Sequence, residues 1–311
     1  MRLLAPAKLN LHLRVGPPRA DGFHPLRSWF VTAGLFDTLT FGSVGKSEHW
    51  RKESAPMSMS CNWHDIPLDE RNLVMRVLVG WEREARNLPG AQVCPLHVTL
   101  NKQIPAGAGL GGGSSDGARA LIGANKLWKS GASMAQLADF AAKFGSDLPF
   151  FFHGASSVCT GRGEKVTPIA PPKARFAVLV LPGIAMPTPS VYKQFDAMKL
   201  GNERDVNEQP DWNALAKLNA AELLPLLVND LEPPAFVIEP RLAHLRDAIA
   251  ESLHRPVRMS GSGSSLFTLF DDLQEANAAS TRIQGEFAVR ALAIEIGPQI
   301  NDDLSETKRN K

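Results

Sequence analysis

The chain has 311 residues, 44% of them hydrophobic and 21% charged, and its 34 Lys+Arg against 32 Asp+Glu leave a net charge of +2. The length favours two domains, and this ordinary globular composition excludes disorder, collagen-like repeats and coiled coil for the bulk of the chain. The near balance of charge implies no polyelectrolyte partner, so no nucleic acid is expected. Cys61, Cys94 and Cys159 form no CxxC pair, which suits a reducing compartment. Pro6 and Lys8 interrupt the first residues before any signal-peptide core can form. The longest uncharged, apolar-leaning run, Phe176 to Tyr192, contains Pro182, Pro187 and Pro189. No membrane helix is therefore expected, and a cytoplasmic protein is.

Residues 8–15 alternate, with Leu9, Leu11, Leu13 and Val15 on one side and Asn10, His12 and Arg14 on the other. Period two predicts a half-buried strand. PPRADGFHP at 17–25 reads as a turn-rich loop, and strands follow at 26–33 and 35–42. Residues 43–69 are polar and read as irregular insertions at a sheet edge. A helix fits 71–86 and a strand 96–102. The glycine-rich segment Ile104 to Asp116 opens a helix that runs to about Trp128, and a second helix fits 134–143. Strand-like runs occupy 150–159 and 175–181. Helices then fit 189–198, 212–227, 240–253 and 272–284, with strands at 265–270 and 287–295 and a loop at 200–211. No internal repeat is present. Strands and helices mix without regular alternation, so α+β is expected rather than doubly wound α/β. The expected division is 1–170 and 171–300, broken at the PPK segment 171–173, with 301–311 as a frayed polar tail.

The strongest chemical signal is IPAGAGLGGGSSD. Gly107, Gly109, Gly111, Gly112 and Gly113 let backbone N–H groups converge on an anion, and Ser114 and Ser115 stand at a helix start. Free N–H groups and the helix dipole favour phosphate there. The loop lacks the Lys of a Walker A motif. It satisfies GxGxxG, but no acidic residue lies between Asp116 and Asp139, where a dinucleotide fold would need one. HRD and DFG are absent, which excludes a protein kinase. A nucleotide-phosphate loop of another class is left.

Lys8 on the polar face of the first strand is either a solvated lysine or a site cation. Asp147, in FGSDLPFFF between a helix and an apolar run, is either a satisfied turn residue or a partly desolvated base. MSGSGSSLF at 259–267, with Gly261, Ser262 and Gly263, is either a tight hairpin or a second phosphate-contacting loop. Phe23 and His24 lie in the 17–25 loop with no evident core role. The histidines and cysteines show no zinc spacing.

PAKLN, PAGAGLGGGSSD and MSGSGSS, in this order, resemble the GHMP kinases, small-molecule kinases related to galactokinase, homoserine kinase and mevalonate kinase. ADGFH at 20–24, GSDLPFF at 145–151, PTPSVY at 187–192 and NDLE at 229–232 resemble the branch that acts on a cytidyl diphosphate sugar alcohol. The resemblance spans residues 4–270. It implies a two-domain α+β fold, with a first domain like ribosomal protein S5 domain 2 and a ferredoxin-like second. It implies ATP as donor with Mg²⁺, a tertiary 2-hydroxyl of an erythritol moiety as acceptor, and a monomer or homodimer.

By the same resemblance, Asp147 would be the base and Lys8 its electrostatic partner. ATP would lie on Pro105, Ala106, Gly107, Ala108, Gly109, Leu110, Gly111, Gly112, Gly113, Ser114 and Ser115, with Gly261, Ser262 and Gly263 as the second glycine loop. Asn10 and Thr188 would hold the erythritol end, Phe23 and Tyr192 would flank cytosine, and His24 would hydrogen-bond it. Phe23 departs from the Tyr usual before that His, which keeps stacking and loses the phenol oxygen. A homoserine- or mevalonate-type kinase and a non-catalytic nucleotide-binding regulator are the alternatives. ADGFH with NDLE argues against the first, and the presence of both Lys8 and Asp147 against the second.

Overall fold

Period-two alternation predicts one buried face for the first strand. The computed structural model, which describes residues 1–43 and 57–305, buries Ala5 through Leu13 on both faces. The chain runs β1 (Arg2–Val15), β2 (Leu26–Ser43), β3 (Met57–Cys61), α1 (Leu73–Ala85), β4 (Leu96–Asn101), α2 (Gly112–Leu127), α3 (Met134–Ala141), β5 (Ser156–Gly161), β6 (Lys165–Pro168) and β7 (Phe176–Leu181). It continues through α4 (Thr188–Ala197), α5 (Glu203–Asn207), α6 (Trp212–Ala216), α7 (Ala220–Leu223), α8 (Glu232–Ile238), α9 (Pro240–Leu253), β8 (Arg258–Met259), β9 (Leu266–Phe270), α10 (Leu273–Phe287) and β10 (Arg290–Glu295). Among the described residues no helix is long and apolar enough to cross a membrane.

β1 to β6 form one sheet, ordered β3-β4-β2-β5-β6 with β1 also paired to β2. The second sheet is antiparallel, ordered β10-β7-β9-β8. Counted from its own first strand that order is 4-1-3-2, the ferredoxin-like arrangement, and α10 packs on it. α1, α2 and α3 enclose the first core around Leu39, Leu78, Trp81, Leu100 and Leu121. A second core joins Leu9, Trp29 and Val31 of the first sheet to Leu179, Phe267 and Leu269 of the second. Shared apolar burial therefore sets one sheet against the other.

The departures from the sequence reading have local causes. The two strands expected at 26–33 and 35–42 are the single strand β2. Its register against β1 jumps from Pro6 opposite Phe36 to Ala7 opposite Ala33, so Gly34 and Leu35 bulge. Within the polar stretch 43–69, β3 pairs in parallel with β4; residues 44–56 lie outside the described residues. The apolar run at 150–159 is a 3₁₀ turn, Pro149–Phe152, before β5 begins. The loop at 200–211 contains α5, and the helix expected at 212–227 is α6, α7 and a 3₁₀ turn at Leu224–Leu226. Asp211 and Asn219 cap separate starts, and Pro225 cannot supply the N–H a continuous helix needs. α8 is an unexpected helix, because its prolines stand in the first turn, where they are tolerated. The expected frayed tail is docked at its start: Asp302 is buried, pairs with Arg119 and accepts the Leu4 N–H. Residues 306–311 lie outside the described residues.

One buried charge cluster seats the glycine-rich segment. The Lys102 ammonium contacts Asp37 and lies 2.8 Å from Asp116 Oδ2. Asp37 Oδ1 also accepts the N–H groups of Gln103 and Ile104, at 2.5 and 2.9 Å. Burial, opposed by Lys102 and reinforced by Asp37, pushes the Asp116 carboxyl up to about 7. Folded Asp116 thus holds its proton more tightly than the unfolded chain does. Its contribution to stability is full below about pH 4 and is lost as pH rises through about 7. Asp116→Asn is expected to remove this loss. The difference in urea-unfolding free energy between mutant and wild type should shift by about 1–4 kcal/mol in favour of the mutant from pH 5 to pH 8. No change in that difference would contradict the buried, proton-holding assignment.

Candidate active site

The two glycine loops meet on the polar face of β1. Gly111 takes φ +65° and leads directly into α2 without a side-chain cap, so the first N–H groups of the helix stay free. Gly109 takes φ +76°, and a Cβ there would fall 2.1 Å from the Ser260 carbonyl oxygen. No other residue type fits so close a backbone approach in the left-handed region. Leu110 O accepts the Lys8 N–H at 2.9 Å, and Ala108 O accepts the Ser265 N–H at 3.2 Å. Ser260 Oγ donates to Gly109 O at 3.1 Å. The MSGSGSS segment is a hairpin turn between β8 and β9 and also one wall of the site. The hairpin reading holds, and the segment also faces the cavity.

Lys8 is 4% exposed. Its ammonium donates to Asn10 Oδ1, lies 3.6 Å from Asp147 Oδ2 and sits 4.7 Å from the centre of the Phe30 ring. A buried ammonium is costly unless paired, and here a carboxylate, an amide oxygen and a ring face share it. Asn10 Nδ2 donates to Ser28 Oγ at 2.9 Å, which fixes the amide so that its oxygen faces Lys8. Asp147 stands just before the Pro149–Phe152 turn, and its side chain is 35% exposed.

Lys8, Asn10, Asp147, Thr188, Tyr192 and the backbone from Pro105 to Ser114 line one cavity of about 330 Å³, together with Gly261 and Ser262. Thr188 Oγ1 lies 2.8 Å from Ser262 Oγ and ties the start of α4 to the second loop. Ser115 is fully buried, with no partner for its hydroxyl among the described residues, and Gly263 packs against Met259; neither lines this cavity.

Phe23 and His24 line an adjoining cavity of about 570 Å³, which shares Asp147, Thr188 and Tyr192 with the first. His24 is buried against Tyr192 and Phe195, with ring centres 5.0 and 5.7 Å away. Its Nδ1 lies 2.9 Å from Gly16 O. A carbonyl only accepts, so Nδ1–H donates to it, and Nε2 lies 3.4 Å from Asp196 Oδ1. Burial and the charge of Asp147 push the Tyr192 phenol up, so it stays protonated. Phe23 is 47% exposed, with the Arg162 guanidinium over its ring.

Several contributors escaped the sequence reading. Asn229 Nδ2 donates to the carbonyls of both Met259 and Gly261 at 2.8 Å and so shapes the second loop. Asp230 accepts from Arg14 and the Val15 N–H, and Glu232 accepts the Met259 N–H. NDLE therefore holds β1 and the second loop together. It was visible only as a resemblance, because no periodicity marks a long-range carbonyl clamp. Phe30 was likewise unmarked, and Ser260 was marked only as part of MSGSGSSLF.

Residues 72–155 match the GHMP kinases N terminal domain family, and residues 205–289 match the GHMP kinases C terminal family. With two glycine loops over a Lys–Asp pair, this is the class of small-molecule kinase that uses ATP as phosphoryl donor. The chain is 34% identical over 300 residues to the 4-diphosphocytidyl-2-C-methyl-D-erythritol kinase of Rhodococcus jostii (strain RHA1), covering 94% of this chain and 91% of that one. It is 36% identical over 297 residues to the kinase of the same name from Synechococcus sp. (strain CC9605), covering 90% of each. A crystal structure of 4-(cytidine 5'-diphospho)-2C-methyl-D-erythritol kinase superposes with a TM-score of 0.77 at 32% identity, over 96% of this chain and 100% of that chain. The chain belongs to the 4-diphosphocytidyl-2-C-methyl-D-erythritol kinase family.

The contact between the loops gives a direct test. Gly109→Ala must push a Cβ into the Ser260 carbonyl at a positive φ, whereas Gly113→Ala adds a Cβ with nothing within 4 Å. Gly109→Ala is expected to cost about 2–4 kcal/mol of stability and to lower Tm by about 5 °C or more. Gly113→Ala should keep the wild-type Tm. Equal Tm values for Gly109→Ala and wild type would show that the two loops do not seat on each other as described.

Proposed function

We infer that this chain transfers the γ-phosphoryl group of ATP to the 2-hydroxyl of 4-diphosphocytidyl-2-C-methyl-D-erythritol, in the non-mevalonate route to isoprenoid precursors. The observation that carries the reading is the Lys8–Asp147 pair. The two charges stand 3.6 Å apart in the glycine-loop cavity, and Asp147 also lines the aromatic cavity. One cavity suits a triphosphate and the other a nucleoside, with Asp147 common to both.

Phosphoryl transfer asks the protein for positioning and charge neutralisation more than for covalent work. The free N–H groups at the start of α2 and the loop backbone receive the phosphates. Asp147 accepts the hydroxyl proton, and Lys8 stabilises the alkoxide oxygen as it develops. Asn10 and Thr188 hold the erythritol end. Phe23 and Tyr192 stack on the faces of cytosine. His24 hydrogen-bonds the edge of cytosine, the edge on which cytosine and uracil differ.

Ser114 and Asp147 bring side-chain oxygens to the loop cavity. That suits Mg²⁺, which takes few protein ligands and keeps several waters, and which offsets charge on ATP phosphates. Both cavities are lined by one chain, so a monomer suffices and a homodimer leaves the site complete. The working division of the chain is 1–170 and 171–300, and its working compartment is the cytoplasm.

Coupled ADP-release assays should show turnover with the cytidyl substrate and none with mevalonate or homoserine. Asp147→Asn should lower kcat by roughly 10²–10⁴-fold with little change in ATP KM, because it removes proton acceptance and leaves the phosphate loop intact. Near wild-type kcat in this variant would remove Asp147 from the mechanism.

The aromatic cavity makes a separate prediction. Tyr192→Ala should raise KM for the cytidyl substrate about tenfold or more, since stacking is worth on the order of 1–3 kcal/mol per base. His24→Ala should weaken discrimination against the uridyl analogue. A parallel rise in ATP KM in both variants would make these residues structural.

A further inference from the structure

The turn between β5 and β6 reaches both ends of the aromatic cavity. At one end its backbone abuts the proposed base: a Cβ on Gly163 would lie 3.7 Å from Asp147 Oδ1 and 3.5 Å from Ser146 Cβ. At the other end Arg162 lays its guanidinium over the Phe23 ring, 4.7 Å from the centroid. Arg162, Phe23, Asp147 and Tyr192 line the same cavity. The Arg162 N–H donates to Glu164 Oε2 at 2.6 Å, which closes the turn and engages the nearest acidic side chain of the hairpin with backbone. The nearby Asp21, held below the ordinary carboxylate range chiefly by its hydrogen bond to Arg19, also feels the charge of Arg162.

A substrate that stacks cytosine on Phe23 and offers a hydroxyl to Asp147 must run its linking diphosphate along this turn. The cavity also exposes that anion to two carboxylates, Asp147 and Asp196, so a cation is needed between them. Lys193 lines the cavity but is exposed, whereas Arg162 is half-buried and held flat by the ring. A planar guanidinium fork matches phosphate oxygens in pairs, and stacking fixes its plane before the ligand arrives.

We propose that Arg162 binds the diphosphate of the cytidyl substrate, and that Phe23 serves both as the cytosine wall and as the platform that orients this arginine. The proposal rests on the substrate reading given above. The loss of the phenol oxygen at position 23 is consistent with it, because an aromatic face is all that the stacked arginine requires.

Competitive inhibition by cytidine and by cytidine 5'-diphosphate, measured against the cytidyl substrate, separates charge recognition from ring support. Arg162→Gln should weaken inhibition by the diphosphate about tenfold to a hundredfold and leave inhibition by cytidine within about twofold. Arg162→Lys should recover part of the loss. Equal weakening of both inhibitors would mean that Arg162 only props Phe23, and unchanged inhibition by both would mean that it does neither; each result overturns the proposal. Wild-type protein that is inhibited by neither compound and does not turn over the cytidyl substrate would overturn the substrate reading, and this inference with it.

Discussion

A buried ammonium must be compensated from several sides, and Lys8 draws most of the site around itself. One partner, Asn10, is on the same strand, and two come from distant parts of the chain: Phe30 on β2 and Asp147 beyond α3. Both glycine loops pass within side-chain reach of it. A Cβ on Gly111 would fall 2.8 Å from Lys8 Cγ, and one on Gly261 would fall 3.4 Å from Nζ. The glycines at these two positions are therefore as much a demand of the lysine as of a phosphate.

The same strand couples the two halves of the molecule. Leu13 exchanges backbone hydrogen bonds with Val228 and Asp230, and Asp230 also takes the Val15 N–H and the Arg14 guanidinium. Asn229, between them, holds the second loop by two carbonyls. Three consecutive residues thus set β1 and the second loop in one register, just ahead of α8. Buried polar groups that are fully satisfied in this way specify one arrangement, because any slip leaves a donor or acceptor bare.

Local signals carried the parts of the site that lie on regular elements. Period two put Lys8 and Asn10 on one face of a strand, and glycine density before good helix formers marked the loop and α2. Distances across the fold left no such trace. Asn229 and Ser260 act through backbone carbonyls of other segments, Phe30 acts through its ring face, and Arg162 sits in a turn with no repeating pattern. The helix expected over 212–227 shows the converse error. Leu215, Leu223, Leu224 and Leu227 do bury against one core, but as separate short pieces that Asn219 and Pro225 keep apart. Apolar spacing reported the burial correctly and overstated the continuity. In β3, alternation was present over only five residues of a polar stretch, and pairing with β4 supplied the rest.

The unequal exposure of the two charged groups suits their different tasks. Lys8 is sealed beneath the loop at 5% side-chain exposure, where its field acts through a low dielectric and water cannot screen it. It has only to remain charged. Asp147, at 35%, opens onto the cavity, and in the mechanism proposed above it takes up a proton and gives it back. A base as deeply buried as Lys8 would hold that proton without a route to solvent, while a lysine as open as Asp147 would spend its field on water. The 3₁₀ turn that follows Asp147 makes the difference possible. It buries Phe150 and Phe151 under the site and leaves the carboxylate at the edge of the apolar wall rather than inside it.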